Sequence, residues 1–157
     1  LIFAGKIASS IGAELGSMRV TEQIDAMEVS GTHPFKYLVA TRVLATTFML
    51  PVLIILADAI SLYGAWIGVN IGGTTSLSLF YSQVFDSLDF SDIIPAFIKS
   101  FFFGFAVGIV GAYKGYNAVK GTRGVGNAAN SAVVLSSILI FVLDLIAVQI
   151  TGILGYN

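Results

Sequence analysis

The chain of 157 residues is 56% hydrophobic and only 11% charged, with a mean hydropathy of +0.90, far outside the composition of soluble domains. It reads as an integral membrane protein. A net charge of −1 indicates neither a basic nucleic-acid surface nor an acidic tail, and the lack of any cysteine excludes a disulfide, a thiolate nucleophile and a cysteine metal site.

Leu1 stands inside an apolar stretch with no basic segment ahead of it, so the start does not resemble a signal peptide. Leu1 to Gly16 is too short for a hydrocarbon core of about 30 Å, and residues 1–17 are expected to be the tail of a span that begins earlier. Ala8, Gly12 and Gly16 recur every four residues, the small-residue spacing that lets helices approach closely in lipid.

The stretch ELGSMRVTEQIDAMEVSGTHP, Glu14 to Pro34, is the one long polar interruption. Within residues 19–31 local chemistry predicts a short helix from Glu22 to Val29. Thr21 is the candidate N-cap, Glu22 and Asp25 put acid in the first turns, Gly31 suits the C-terminal cap and Pro34 blocks continuation. On a wheel, Glu22, Asp25 and Glu28 form one stripe and Val20, Ile24 and Met27 lie opposite. So short a helix is not stable alone in water and has to dock on something.

A span is predicted over 37–70, with Pro51 as a possible kink and Asp58 as its only charge after Arg42. In segment 71–92, Leu77, Phe80, Tyr81, Val84, Phe85 and Leu88 fall at helical spacing, the pattern of a helix lying in the membrane interface. A span over 93–115 opens with Ser91 and Asp92 as cap candidates and carries Lys99 and the pairs Gly104/Gly108 and Gly111/Gly115. The glycine-rich basic stretch 116–129 reads as a loop. A last span, 130–155, contains Asp144, and Tyr156 suits an interfacial aromatic belt.

Arg19, Lys36, Arg42, Lys114, Lys120 and Arg123 flank the first and third connections, whereas the second holds only Asp86, Asp89 and Asp92. The excess of base places the first and third connections in the cytoplasm. Asp58, Lys99 and Asp144 interrupt the spans at what a helical rise of ~1.5 Å per residue makes a similar depth, in the outer half. Each needs a partner in lipid, and Lys99 is expected to neutralise Asp58, Asp144 or both. His33 has no second histidine for a metal site or a catalytic dyad and suits a turn cap; GTRGVG at 121–126 has the wrong glycine spacing for a dinucleotide site, and no P-loop motif occurs. Nucleotide chemistry, if any, belongs to another chain.

The segment GAELGSMRVTEQIDAMEVSGTHPFKYLVATRVLA, Gly12 to Ala45, closely resembles the signature region of the MlaE family of ABC-transporter permeases. The resemblance continues through Leu50-Pro51 and Asp58, Lys99-Ser100 to Phe103-Gly104, and Gly124-Val125-Gly126 to Ala132-Val133-Val134. Two departures stand out: Thr41 precedes Arg42 where the family usually has proline, and His33 stands where aspartate is common before Pro34.

The resemblance implies an all-α bundle of three complete transmembrane helices plus the tail of a preceding one, a short cytoplasmic coupling helix and an outer interfacial helix. It implies no catalysis and no cofactor in this chain. ATP and magnesium would be held by a cytoplasmic ABC ATPase, with a second permease copy, an MCE-domain lipid-binding protein outside, and phospholipid as cargo. The setting would be a bacterial inner membrane or a plastid inner envelope. Arg19, Glu22, Gln23, Asp25 and Glu28 would then serve coupling, and Phe80, Tyr81 and Phe85, with the Asp58, Lys99, Asp144 set, the lipid path or outer gate. Two other classes would fit parts of the pattern: a self-contained secondary transporter or channel using the intramembrane charges, and a structural scaffold. Neither needs a short acidic amphipathic helix in a cytoplasmic connection.

Overall fold

The computed structural model describes residues 1–73, 75–88 and 90–153. Asp89 and Tyr156 lie outside the described residues, as do the side chains of Ser91 and Asp92. The chain forms α1 (Ile2–Val20), α2 (Gln23–Val29), a π-helical turn (Phe35–Ala40), α3 (Thr41–Gly72), α4 (Leu77–Ser87), α5 (Phe90–Tyr116) and α6 (Thr122–Ile153). Among the described residues three stretches are long and apolar enough to cross a membrane: Phe35–Ile71, Ile93–Tyr116 and Thr122–Ile153. Only 22%, 33% and 17% of their most apolar windows are buried within the chain, so most of their Leu, Ile and Phe side chains face outward, as a lipid environment demands. This is an all-α, multi-pass membrane protein.

The bundle is organised around α5, whose glycines bring two neighbours to backbone contact. A β-carbon on Gly104 would sit 2.5 Å from the Thr46 carbonyl oxygen, and one on Gly108 would run into the Thr46 hydroxyl and lie 3.0 Å from Val43 Cα. One turn further on, Gly111 meets Ala8 and Ile11, and Gly115 meets Gly12 and Leu15. The Ala8, Gly12, Gly16 row answers from α1, with Gly12 also against Ala128 and Ala132, and Gly16 against Ala118, Val125 and Ala128. Small residues therefore set the α1–α5–α6 and α3–α5 distances, and dispersion between closely apposed backbones holds them.

Two buried apolar clusters fill the remaining space. Ala4, Ala8, Leu50, Val107, Ala132 and Ile140 form one. The second, Ile11, Leu15, Ile24, Leu38 and Ala112, lies at the end of the bundle that carries α2.

Several boundaries differ from the sequence reading. The first helix runs on to Val20, and Thr21 closes it: its amide and its hydroxyl both donate to the Ser17 carbonyl, at 3.0 and 2.9 Å. Thr21 is thus not the N-cap of α2, a place taken by Glu22 in the left-handed conformation at φ 59. The stretch 116–129 is not one loop, because α6 begins at Thr122. Gly124 is needed there for close approach, since a β-carbon would collide with the Val119 carbonyl, and Ala128 and Ala132 are buried against α1. Pro51 is fully buried inside an unbroken α3. Pro34 opens the next helical segment instead of only ending the previous one, with φ −63 ahead of the π turn.

Candidate functional site

The α2 helix is held as a separate strut beneath the bundle. Its C-terminal end is a Schellman closure: the Gly31 amide donates to the Glu28 carbonyl and the Thr32 amide to the Met27 carbonyl, both at 3.1 Å, with Gly31 at φ 80. Ile24 is the anchor, 0% exposed among Ile11, Leu15, Leu38 and Ala112, with Met27 packed beside it. The apolar side predicted from the wheel is the side that docks.

The acidic stripe faces the chain's own cations and a hydroxyl. Arg19 bonds Asp25, Lys120 lies 3.4 Å from Glu22, and the Tyr116 hydroxyl donates to Glu28 at 3.5 Å. Tyr116 also meets Phe35 edge-on. Lys120 and Tyr116 were missed as site residues, because nothing in their spacing links them to a helix some 90 positions earlier; only the fold brings them there. Gln23, Ala26, Val29 and Ser30 are exposed, Val29 at 91%. They form the outward face of α2. The Arg42 guanidinium fastens the base of α3, donating to Glu14 at 2.7 Å and to the Leu38 carbonyl at 3.0 Å. The His33 side chain makes no hydrogen bond among the described residues; its carbonyl accepts the Tyr37 amide at 3.1 Å.

Of the three predicted intramembrane charges the structure joins two. Lys99 donates to Asp144 at 2.8 Å, tying α5 to α6. Asp58 is exposed and makes no ion pair among the described residues. The expectation of similar depth holds for Lys99 and Asp144 and not for Asp58, because the Gly104–Thr46/Thr47 contact sets the register of α3 on α5. That register puts Lys99 level with Val52, about six residues or ~9 Å short of Asp58. A fourth charge in the apolar part of the chain, Lys6, the only charged residue before Glu14, is exposed on α1 beside α6.

At the opposite end, Asn70 and Trp66 fix the turn into α4: the Thr75 amide donates to Asn70 Oδ1 at 3.1 Å and Trp66 Nε1 to the Thr75 carbonyl at 3.3 Å. The Ser76 hydroxyl caps α4 at the Leu79 amide. Tyr81 stacks on Phe85 and meets Phe80 edge-on, at centroid distances of 6.2 and 5.9 Å. The three predicted aromatics thus form one ridge on a helix that buries no residue in the bundle.

The family model described as Permease MlaE matches residues 1–150. The chain belongs to the MlaE permease family. Among its relatives, a probable ABC transporter permease protein of Rickettsia typhi is 41% identical over 146 residues, covering 90% of this chain and 55% of that protein. A probable ABC transporter permease protein of Pyropia yezoensis is 37% identical over 93% of this chain and 56% of its own length. The intermembrane phospholipid transport system permease protein MlaE of Haemophilus influenzae is 36% identical over 96% of this chain and 58% of its own length. This MlaE-family chain therefore spans a little over half the length of the curated relatives it matches.

Proposed function

We propose that the chain is the membrane-spanning part of an ABC-transporter permease that moves phospholipid, and that α2 is the element through which a separate ATPase drives it. The observation that carries this reading is α2 itself: a seven-residue helix anchored by one buried isoleucine, its outer face of Gln23, Ala26, Val29 and Ser30 left open. Six basic residues, Arg19, Lys36, Arg42, Lys114, Lys120 and Arg123, lie in and beside the connections at that end, which argues for the cytoplasmic side. Membership of the MlaE family and the phospholipid-transport relative in Haemophilus support the cargo class.

In this reading two permease copies pair with two ATPases, and ATP and magnesium stay with the ATPases. Closure of the ATPases presses on α2. Ile24 passes the displacement to α1 and the π turn through Ile11, Leu15 and Leu38, and α5 carries it to the Lys99–Asp144 end. The free energy enters as a difference in affinity of the nucleotide states for two permease conformations. Phospholipid then moves between the permease cavity and an MCE-domain carrier on the other side of a bacterial inner or plastid inner envelope membrane, with the Phe80, Tyr81, Phe85 ridge at the exit.

Arg19, Glu22, Asp25 and Glu28 hold α2 in place, while Gln23 and Val29 face the ATPase. Introducing Val29→Asp into the full-length protein is expected to abolish ATPase co-purification with the fold intact, and Glu22→Lys with Asp25→Lys to abolish it by setting like charges against Lys120 and Arg19 and loosening α2 from its seat. Retained association in both variants would sink the assignment. A self-contained transporter running on Asp58, Lys99 and Asp144 is less well supported, since Asp58 stands apart from the other two.

A further inference from the structure

The connection between α5 and α6 reaches both ends of the acidic stripe of α2. Lys120 lies 3.4 Å from Glu22 at the start of the helix, and the Tyr116 hydroxyl donates to Glu28 near its end at 3.5 Å. The other side of the connection is packed on two spans. Ala118 stands against Gly16 of α1, and the Val119 carbonyl against Gly124 of α6, where a β-carbon would collide with it. The Ala118 amide donates to the Gly115 carbonyl at 3.1 Å, and the carbonyl of Gly121, a residue at φ 101, accepts the Gly124 amide at 2.9 Å. Residues 116–121 thus form a short strap, fixed on the bundle and meeting α2 twice.

The strap supplies a route that the apolar seat of α2 does not. Ile24 is buried among residues of α1, the π turn and α5, and none of that cluster belongs to α6. Lys120 stands two residues before α6 opens at Thr122. The backbone of Glu22 points the same way: it is the one non-glycine residue at positive φ among the described residues. Glycine or asparagine would adopt φ 59 more easily, and what glutamate adds there is a carboxylate within reach of Lys120. The two side chains of this pair are 80% and 68% exposed, so their attraction is weak and screened by salt. It does not hold the fold together, but it is enough to bias a docked helix between two positions.

We propose that residues 116–121 act as a latch on α2, with Lys120 and Tyr116 as its positioning residues. Closed, the latch keeps α2 in its resting place and ties it to the start of α6. Open, it frees α2 to rock on Ile24 between two left-handed residues, Glu22 at φ 59 and Gly31 at φ 80. The latch is a property of this chain. Its use, keeping ATP hydrolysis in step with the movement of α6, rests on the coupling reading given above.

Nitroxide labels at Gln23→Cys and Val119→Cys, both exposed positions, report the distance from α2 to the strap by pulsed electron spin resonance. The full-length protein is measured without an ATPase, in nanodiscs at low salt, and one narrow distance is expected. Lys120→Gln with Tyr116→Phe should raise a second, displaced population about tenfold, roughly threefold for each contact. Lys120→Arg should keep the narrow distribution, and raised salt should act as Lys120→Gln does. Should the double variant fail to fold, Tyr116→Phe alone, which keeps its ring on Phe35, gives the threefold comparison. In a second arm the unlabelled variants are purified with the ATPase that accompanies them, and ATP hydrolysed is counted against fluorescent phospholipid passed to acceptor vesicles. Association is expected to survive, since Ile24 stays buried, with several-fold more ATP hydrolysed per lipid moved. An unchanged distance distribution in the folded variants overturns the latch, as does an unchanged ratio of ATP to lipid. If the unmodified protein brings down no ATPase, the coupling reading falls, and the distance measurement alone decides the latch.

Discussion

Ile24→Ala is the substitution that separates the anchoring of α2 from its charges. Ile24 has no exposed surface, and truncation removes three carbons from a packed cluster; transfer at about 0.8 kcal/mol per methylene plus the residual cavity gives ~2–5 kcal/mol. The polar ties are weaker. The Arg19–Asp25 side chains are 38% and 47% exposed and the Lys120–Glu22 pair 80% and 68%, so each contributes ~1 kcal/mol or less. A seven-residue helix has no stability of its own to compensate. A central loss of about 3 kcal/mol therefore shifts the docked-to-undocked ratio of α2 by roughly 150-fold. Hydrogen exchange reads this directly: the amides of Ala26, Ser30, Gly31 and Thr32, bonded within this segment, should lose protection by that order while α5 and α6 keep theirs. Protection unchanged in Ile24→Ala, or lost equally in Asp25→Ala and Glu22→Ala, would refute the argument that one buried side chain dominates the docking.

Other substitutions probe the rest of the bundle. Gly108→Ala pushes a β-carbon into Thr46 and Val43 and should destabilise by ~1–3 kcal/mol, seen as a lower thermal midpoint in detergent; Gly126→Ala, with open space around it, should be neutral or stabilising by up to ~1 kcal/mol. Lys99→Met leaves Asp144 without its partner and should cost ~2.5–3.5 kcal/mol if the carboxylate stays ionised in lipid. Pairing it with Asp144→Leu should restore most of the midpoint, and transport measured on that double variant tells whether the pair does more than join α5 to α6. Ser76→Ala removes the cap on the Leu79 amide and should fray α4 by ~1 kcal/mol, confined in hydrogen exchange to residues 77–87.

The parts legible in the sequence were those governed by local pattern. Apolar runs located the spans, the four-residue spacing of Ala8, Gly12 and Gly16 and of Gly104 and Gly108 marked close helix contacts, and Gly31 was placed correctly at a left-handed helix end. The wheel separated Ile24 and Met27 from the acids of α2. What failed depended on tertiary register. Thr21 has the chemistry of an N-cap, but the preceding helix claims it through the Ser17 carbonyl. The glycines of 116–129 suggested a loop on composition, whereas Gly124 serves close approach within a helix. Asp58 looked level with Lys99 only while the offset between α3 and α5 was unknown. Tyr116 and Lys120 carry no local signal beyond their ring or charge, and their roles come from neighbours distant in the chain.

The central claim is that the open face of α2 meets a nucleotide-hydrolysing partner. A photoreactive amino acid at Val29 of the full-length protein, irradiated in native membranes and followed by purification and mass spectrometry, tests it most directly. The account predicts a crosslink to an ABC-type ATPase, sensitive to the nucleotide present. A crosslink only to lipid or to the permease itself, with no ATPase recovered, would contradict it.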